Sequence, residues 1–125
     1  RYWEQDAQFR FVQFLSNEKT LLRRIDSQRL MGRCRWDAPE VYPLKGTWED
    51  HRAVLRAHQP FRNFEYADLS NPAAPRYLSI GGEPMFDAAG RFTGYCGTAS
   101  DITQGKLGEM CQRETQAMLH MAAQV

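Results

Sequence analysis

Residues 77–103, YLSIGGEPMFDAAGRFTGYCGTASDIT, restrict the fold more than any other part of the chain. Two extended segments flank Asp87-Ala88-Ala89-Gly90, where an Asp able to bond its own backbone and a Gly able to take positive φ dictate a turn. The pair reads as a β-hairpin. Gly81, Gly82, Gly94 and Gly97 interrupt both strands, and glycine inside a strand marks a bulge, a bend or a close approach to the backbone. One sheet face is therefore expected to be open to a ligand or to close packing. Asp101-Ile102-Thr103 ends the second strand and the composition beyond it turns helical, so the hairpin should lead directly into a terminal helix.

The rest of the chain supplies partners for that hairpin. Residues 2–15 hold two apolar-rich runs about a polar break at Gln5-Asp6-Ala7-Gln8, an opening hairpin that puts Phe9, Phe11 and Gln13 on one face and Arg10, Val12 and Phe14 on the other. Ser16 to Leu30 takes helical spacing through Leu21, Leu22, Ile25 and Leu30, capped at Ser16 or Asn17 and ended by Gly32. Residues 33–46, with Pro39 and Pro43, should be irregular apart from short helical turns. Thr47 is placed to cap a helix through about His58, with Trp48, His51, Val54 and Leu55 along one side and Glu49 and Asp50 where the helix dipole favours acids. Pro60 stops it. Phe61 to Leu69 alternates as a half-buried strand, with Phe64 and Tyr66 on one face and Asn63 and Glu65 on the other. Residues 70–75 form a loop. The expected fold is α+β: a five-stranded antiparallel sheet covered on one face by short helices, with a C-terminal helix. Residues 1–103 would be the domain and residues 104–125 a linker or signalling helix.

Composition removes several function classes. At 125 residues the chain suits one domain with one core. The formal charge is +1 with acids and bases interspersed, which gives no footprint for nucleic acid or an anionic membrane. No apolar run approaches the length of a bilayer crossing and no leader is present, so a cytoplasmic setting is expected, and Arg1 opening a strand suggests a piece of a longer protein. Cys34, Cys96 and Cys111 are odd in number and widely spaced, indicating neither a disulfide framework nor a zinc site. No catalytic constellation emerges: Gly81-Gly82 lacks the Lys-Ser/Thr of a phosphate loop, and there is no serine elbow or paired-His motif. The domain is therefore expected to be non-catalytic.

The ordered set Phe86-Asp87, Gly90, Gly94-Tyr95, Gly97 and Asp101-Ile102-Thr103 resembles the C-terminal half of a PAS sensory domain. Trp3-Glu4-x-Asp6, Phe9-Arg10-Phe11, Gly32-Arg33-x-Arg35-Trp36 and Pro60-Phe61-Arg62 follow the same family order, so the resemblance spans roughly residues 1–103. It implies a sensory or regulatory module of a bacterial multidomain signalling protein, such as a sensor histidine kinase or diguanylate cyclase, in which the terminal helix passes ligand or partner binding to an output domain beyond residue 125. It also implies a homodimer. In this family the strand-to-helix junction is the relay, a role that falls here on Asp101, Ile102 and Thr103. The alternative within the family is a ligand-free dimerisation scaffold.

Individual residues sharpen these expectations. Trp36, Phe64, Tyr66, Leu78, Ile80, Tyr95 and Ala99 are candidates to line a small cavity between sheet and helices, with room made by Gly97 and polar contacts offered by Tyr and Trp tips; otherwise they are simply core. At the junction, Thr103 is placed to cap the helix and Asp101 to pair with an Arg of the sheet or a neighbouring segment. Cys34 in Arg33-Cys34-Arg35-Trp36 is similar to the adduct-forming cysteine of flavin-binding relatives. Arg33, Leu78 and Ala99, however, stand where those proteins offer amides, and each unmatched buried polar group costs on the order of 1–3 kcal/mol. Flavin is disfavoured. His58 lies where some haem-binding relatives carry their ligand, without a second diagnostic feature, so haem is disfavoured too, and the ligand stays unknown. His120 is followed by Met121 instead of the acid that follows a kinase phosphoacceptor. Leu107, Cys111, Glu114, Met118, Met121 and Val125 recur at four- and three-residue steps, a weak coiled-coil seam unless the helix packs back on its own sheet.

Overall fold

The computed structural model describes residues 1–15 and 28–124. The helix expected over Ser16 to Leu30, including its cap and Leu21, Leu22 and Ile25, lies almost wholly outside the described residues; its last turn, residues 28–30, is helical and Gly32 follows at φ 76°.

An antiparallel sheet of six strands forms the body: β1 (Tyr2–Gln5), β2 (Phe11–Leu15), β3 (Val41–Pro43), β4 (Phe61–Asp68), β5 (Arg76–Phe86) and β6 (Phe92–Asp101), in the spatial order β2-β1-β6-β5-β4-β3. The two long strands of the expected hairpin sit at its centre. At the turn between them the Asp87 carboxylate accepts from the amides of Ala89 and Arg91, both at 2.9 Å, and Gly90 takes φ 79°. The sixth strand is β3, within the stretch expected to be irregular. It pairs with β4 at the sheet edge, where Pro43 loses no ladder bond that a neighbouring strand would need. The short helical turn expected nearby is present at Arg35–Asp37.

Helix α1 (Trp48–Arg56) starts as its sequence dictates. The Asp50 amide donates to the Thr47 hydroxyl at 3.1 Å and the Asp50 carboxylate accepts from the Thr47 amide at 3.2 Å, a reciprocal cap. It buries His51 and Leu55 on the sheet face that carries Tyr66, Leu78, Ile80, Tyr95 and Ala99. Tyr95 ties the two layers together, donating from its hydroxyl to the Gln59 carbonyl at 2.8 Å just past the helix end, and burial pushes its pKa up to about 12.

The opening hairpin departs from strict alternation. The register moves from Glu4↔Gln13 to Gln5↔Phe11, so Val12 is an extra residue on β2. Phe11 and Phe14 thereby share a face, their ring centroids 4.8 Å apart, instead of lying on opposite faces. The reversal spans residues 6–10, with Asp6 accepting from the Gln8 and Arg10 amides and Phe9 at φ 66°.

Helix α2 (Thr103–Ala123) leaves the sheet at β6. Its 21 residues bury none of their side chains, and only its first turn is tied to the sheet, where Lys106 meets Glu65 at 2.8 Å. Packing back along its own sheet is therefore ruled out for the described residues.

Candidate functional site

Five of the seven cavity candidates, Tyr66, Leu78, Ile80, Tyr95 and Ala99, converge in one buried cluster with Trp3, Phe11 and Leu55. They fill it. Trp3 lies against Gly82 and Gly97, where an added Cβ would come within 2.7 Å of its indole. The room that Gly97 makes is thus occupied by a ring of the same chain, and the expected cavity at this position is a packed core. The polar tips are spent internally as well: Tyr95 on the Gln59 carbonyl, Tyr66 as acceptor from Arg35 Nη1 at 3.0 Å. Trp36 packs against the outside of this cluster, half-buried, with the Arg52 guanidinium 5.0 Å from its ring and Phe9 at its edge. Phe64 stacks on the His51 ring, centroids 4.2 Å apart.

Three of the hollows among the described residues flank this core. One of about 380 Å³ opens beside α1 and β4 and is lined by Lys45, Val54, Phe61 and Phe64 with His51. His51 is buried among rings, and that desolvation, followed by the positive charge of Arg35, lowers its pKa to about 4, so it is neutral at pH 7. A second hollow, about 340 Å³, lies on the sheet face opposite the core and is lined mainly by Arg62, Ser79, Glu83, Cys96, Thr98 and Ser100. The third, about 20 Å³, lies between the turn that carries Arg35 and the edge strands β3 and β4, and adjoins Arg35, Val41 and Tyr66.

Arg35 is the residue that sequence reasoning passed over. It sits in the single helical turn before β3, 1% exposed, with its guanidinium over the rings of Phe11, Trp3 and Tyr66. No periodicity marks a turn of three residues. The only available signal was an arginine immediately before a tryptophan in a stretch otherwise expected to be irregular.

At the junction, Asp101 closes β6 and its Oδ1 accepts from the Thr103 amide at 2.9 Å, while its Oδ2 stands 4.0 Å from Arg76 of β5. The expected pairing with an arginine of the sheet is present. Thr103, in contrast, does not cap α2: the residue at the cap is Ile102, and the Thr103 hydroxyl accepts from the Tyr77 amide at 2.9 Å. The Ile102 amide donates to the Tyr77 carbonyl at 2.8 Å. The threonine is recruited by β5 because the Tyr77 amide has passed the last rung of the β5/β6 ladder and needs an acceptor.

The remaining candidates fall elsewhere. His58 takes φ 52° after α1 and stacks on Phe92, centroids 3.8 Å apart, at the opposite end of the sheet from the junction. Cys34 lies beside the Gln8 carbonyl with its thiol pKa raised by burial and then by Asp37, which makes it a weak nucleophile. Among the described residues no group of His, Cys, Asp and Glu side chains is placed to hold a metal ion. No helix among them is long and apolar enough to cross a membrane. No family model matches the chain, and no curated protein matches it.

Proposed function

We propose that this chain is a sensory or regulatory module of the PAS type within a bacterial multidomain signalling protein, a sensor histidine kinase or a diguanylate cyclase, and that it works without chemistry of its own. Ligand or partner binding biases the sheet between two states, and α2 carries a difference of about 1–3 kcal/mol to an output domain. The observation that carries this reading is the junction. Three polar ties, from Asp101, Ile102 and Thr103, join the last strand and the first turn of α2 to Arg76 and Tyr77 of the neighbouring strand. A shift of β5 against β6 therefore moves the base of α2. Among the described residues the rest of that helix buries no side chain that would resist the movement.

Replacing Asp101 by Ala in the full-length protein tests the relay. The expected outcome is an output activity that no longer responds to the signal, with the far-UV circular dichroism of the module unchanged. Regulation that survives the substitution would remove the relay from the account.

A second reading, a ligand-free dimerisation scaffold, is favoured by the filled core, in which Trp3 takes the space beneath Gly97. Native mass spectrometry of freshly purified protein separates the two. A co-purifying small molecule supports the sensor, and a dimer of bare chain mass supports the scaffold.

A further inference from the structure

Strand β4 carries an extra residue against its neighbour. Phe61 stands opposite Gly82 and Phe64 opposite Ile80, three positions against two, and Asn63 takes φ 56° within the bulge. Phe61 and Phe64 thereby share a face, where both rings meet His51 of α1, centroids 4.7 and 4.2 Å from it. Strand β3 pairs with β4 only from Tyr66 onward, so on the side away from β5 the edge from Phe61 to Phe64 has no strand alongside it among the described residues. The 380 Å³ hollow lies between that edge and the start of α1. Its volume falls in the range of small-molecule sites, and it does not coincide with the core position that Trp3 fills.

The chemistry of the wall is uneven. Val54, Phe61 and Phe64 make it apolar at the base. His51 is 4% exposed, yet neither ring nitrogen has a hydrogen-bond partner among the described residues. With its pKa at about 4 the ring is neutral at pH 7, so it offers one N–H donor and one lone pair. The carboxylates bordering the hollow are already committed: Asp50 accepts from the Thr47 amide at 3.2 Å, and Glu65 meets Lys106 at 2.8 Å. The cations are not. Lys45 and Arg62 are exposed and make no ion pair among the described residues. Free positive groups call for a negative charge on the occupant, and the two acids beside them disfavour a dianion such as a phosphate ester.

We propose that this hollow binds a hydroxyarene monocarboxylate of one or two rings, its ring against Phe61, Phe64 and Val54, its carboxylate held at the mouth by Lys45 and its hydroxyl bonded to the His51 imidazole. Glu65, which borders the same hollow, holds Lys106 in the first turn of α2, so an occupant there adjoins a tie to the terminal helix that does not pass through the core. The use of this site as a signal rests on the sensory reading above; the binding itself does not.

The test titrates para-hydroxybenzoate into the ¹⁵N-labelled chain and follows the amide cross-peaks, with phenol and benzoate as probes that each lack one polar end. The expected result is a saturable shift centred on residues 45–54 and 61–65, with nuclear Overhauser contacts from the ligand ring to the Val54 methyls. Phenol and benzoate each bind about 5-fold more weakly, the loss of one exposed charge contact or one hydrogen bond. Lys45→Gln brings para-hydroxybenzoate down to the affinity of phenol and leaves phenol unchanged, a split that a merely structural lysine would not produce. Val54→Trp, which fills the hollow from α1, abolishes binding; if that variant does not fold, Lys45→Gln, in an exposed loop, still decides. No saturable shift, shifts centred elsewhere, or phenyl phosphate binding as tightly as the carboxylate overturns the proposal. That failure leaves the Asp101 experiment untouched, because uncoupling there is read from output activity whatever the ligand. Binding of para-hydroxybenzoate alongside an Asp101→Ala protein that still regulates would retain the site and remove the relay.

Discussion

Gly97 shows how little space the core leaves. An added Cβ would stand 1.9 Å from the Gly81 carbonyl oxygen and 2.7 Å from both the Gly82 Cα and the Trp3 ring. Two of those three obstacles are backbone and cannot swing aside, so Gly97→Ala is expected to cost about 3 kcal/mol of stability by overpacking. Gly108 is the counterpart: nothing lies within 4 Å of an added Cβ, and it sits inside α2, so Gly108→Ala should stabilise by about 0.5–1 kcal/mol through helix propensity. Urea midpoints of the two variants check both signs, and equal effects would mean that Trp3 does not rest on the sheet as described. His51 gives a pH signature. In the unfolded chain it gains a proton near pH 6.5, in the folded chain only near pH 4, so between those values the unfolded state binds more protons. The stability attached to neutral His51 is therefore complete above pH 6.5 and is lost as pH falls toward 4, by on the order of 3 kcal/mol. Denaturation at pH 7.0, 5.5 and 4.5 should show that slope in the wild type and a flatter one in His51→Gln; matching slopes would place the ring in water.

At the scale of elements, the helices differ in what holds them. Helix α1 has a reciprocal cap at Thr47 and Asp50 and an apolar side pressed on the sheet, so its spacing of Trp48, His51, Val54 and Leu55 was legible in the sequence. Helix α2 carries Leu107, Cys111, Met118 and Met121 along one seam with Met118 70% and Met121 67% exposed. A helix of 21 residues, about 32 Å long, with apolar positions at heptad steps and none of its side chains buried among the described residues, offers a seam that a second helix would cover. The second copy proposed here as its partner would pair in parallel and bring the two Cys111 residues to facing seam positions, where Cα separations suit a disulfide. Mild oxidation is expected to give a cross-linked dimer that Cys111→Ser abolishes and that Cys34→Ser and Cys96→Ser leave intact. A chain that sediments as a monomer at micromolar concentration, with no Cys111 cross-link, would retire the dimer. Strand β3 is the converse case. Its three residues carry too short a pattern to read, and only the open edge of β4 makes them a strand.

For the molecule as a whole, local chemistry settled the elements whose information is local. The Asp87–Gly90 turn, the Thr47 cap, the alternation of Phe64 and Tyr66 and the α+β order all follow from residues within a few positions of one another, and each is present. Two kinds of property were out of reach. The Val12 bulge, which returns Phe14 to the face of Phe11, and the sixth strand depend on which backbone lies alongside, a matter decided by pairing across the sheet. The site depends on packing among residues far apart in the chain. Whether Gly97 opens a cavity or seats an indole turns on where residue 3 lies, and whether Thr103 caps a helix or serves Tyr77 turns on where β5 ends. Arg35 is the extreme instance: a charge in a three-residue turn looks solvent-bound in sequence, and only the closing of Trp3, Phe11 and Tyr66 around it removes the water and leaves half its fork unmet. Sequence fixes a preference wherever the deciding contacts are near neighbours along the chain; burial, and the electrostatic demand that burial creates, exist only after distant segments have excluded water together.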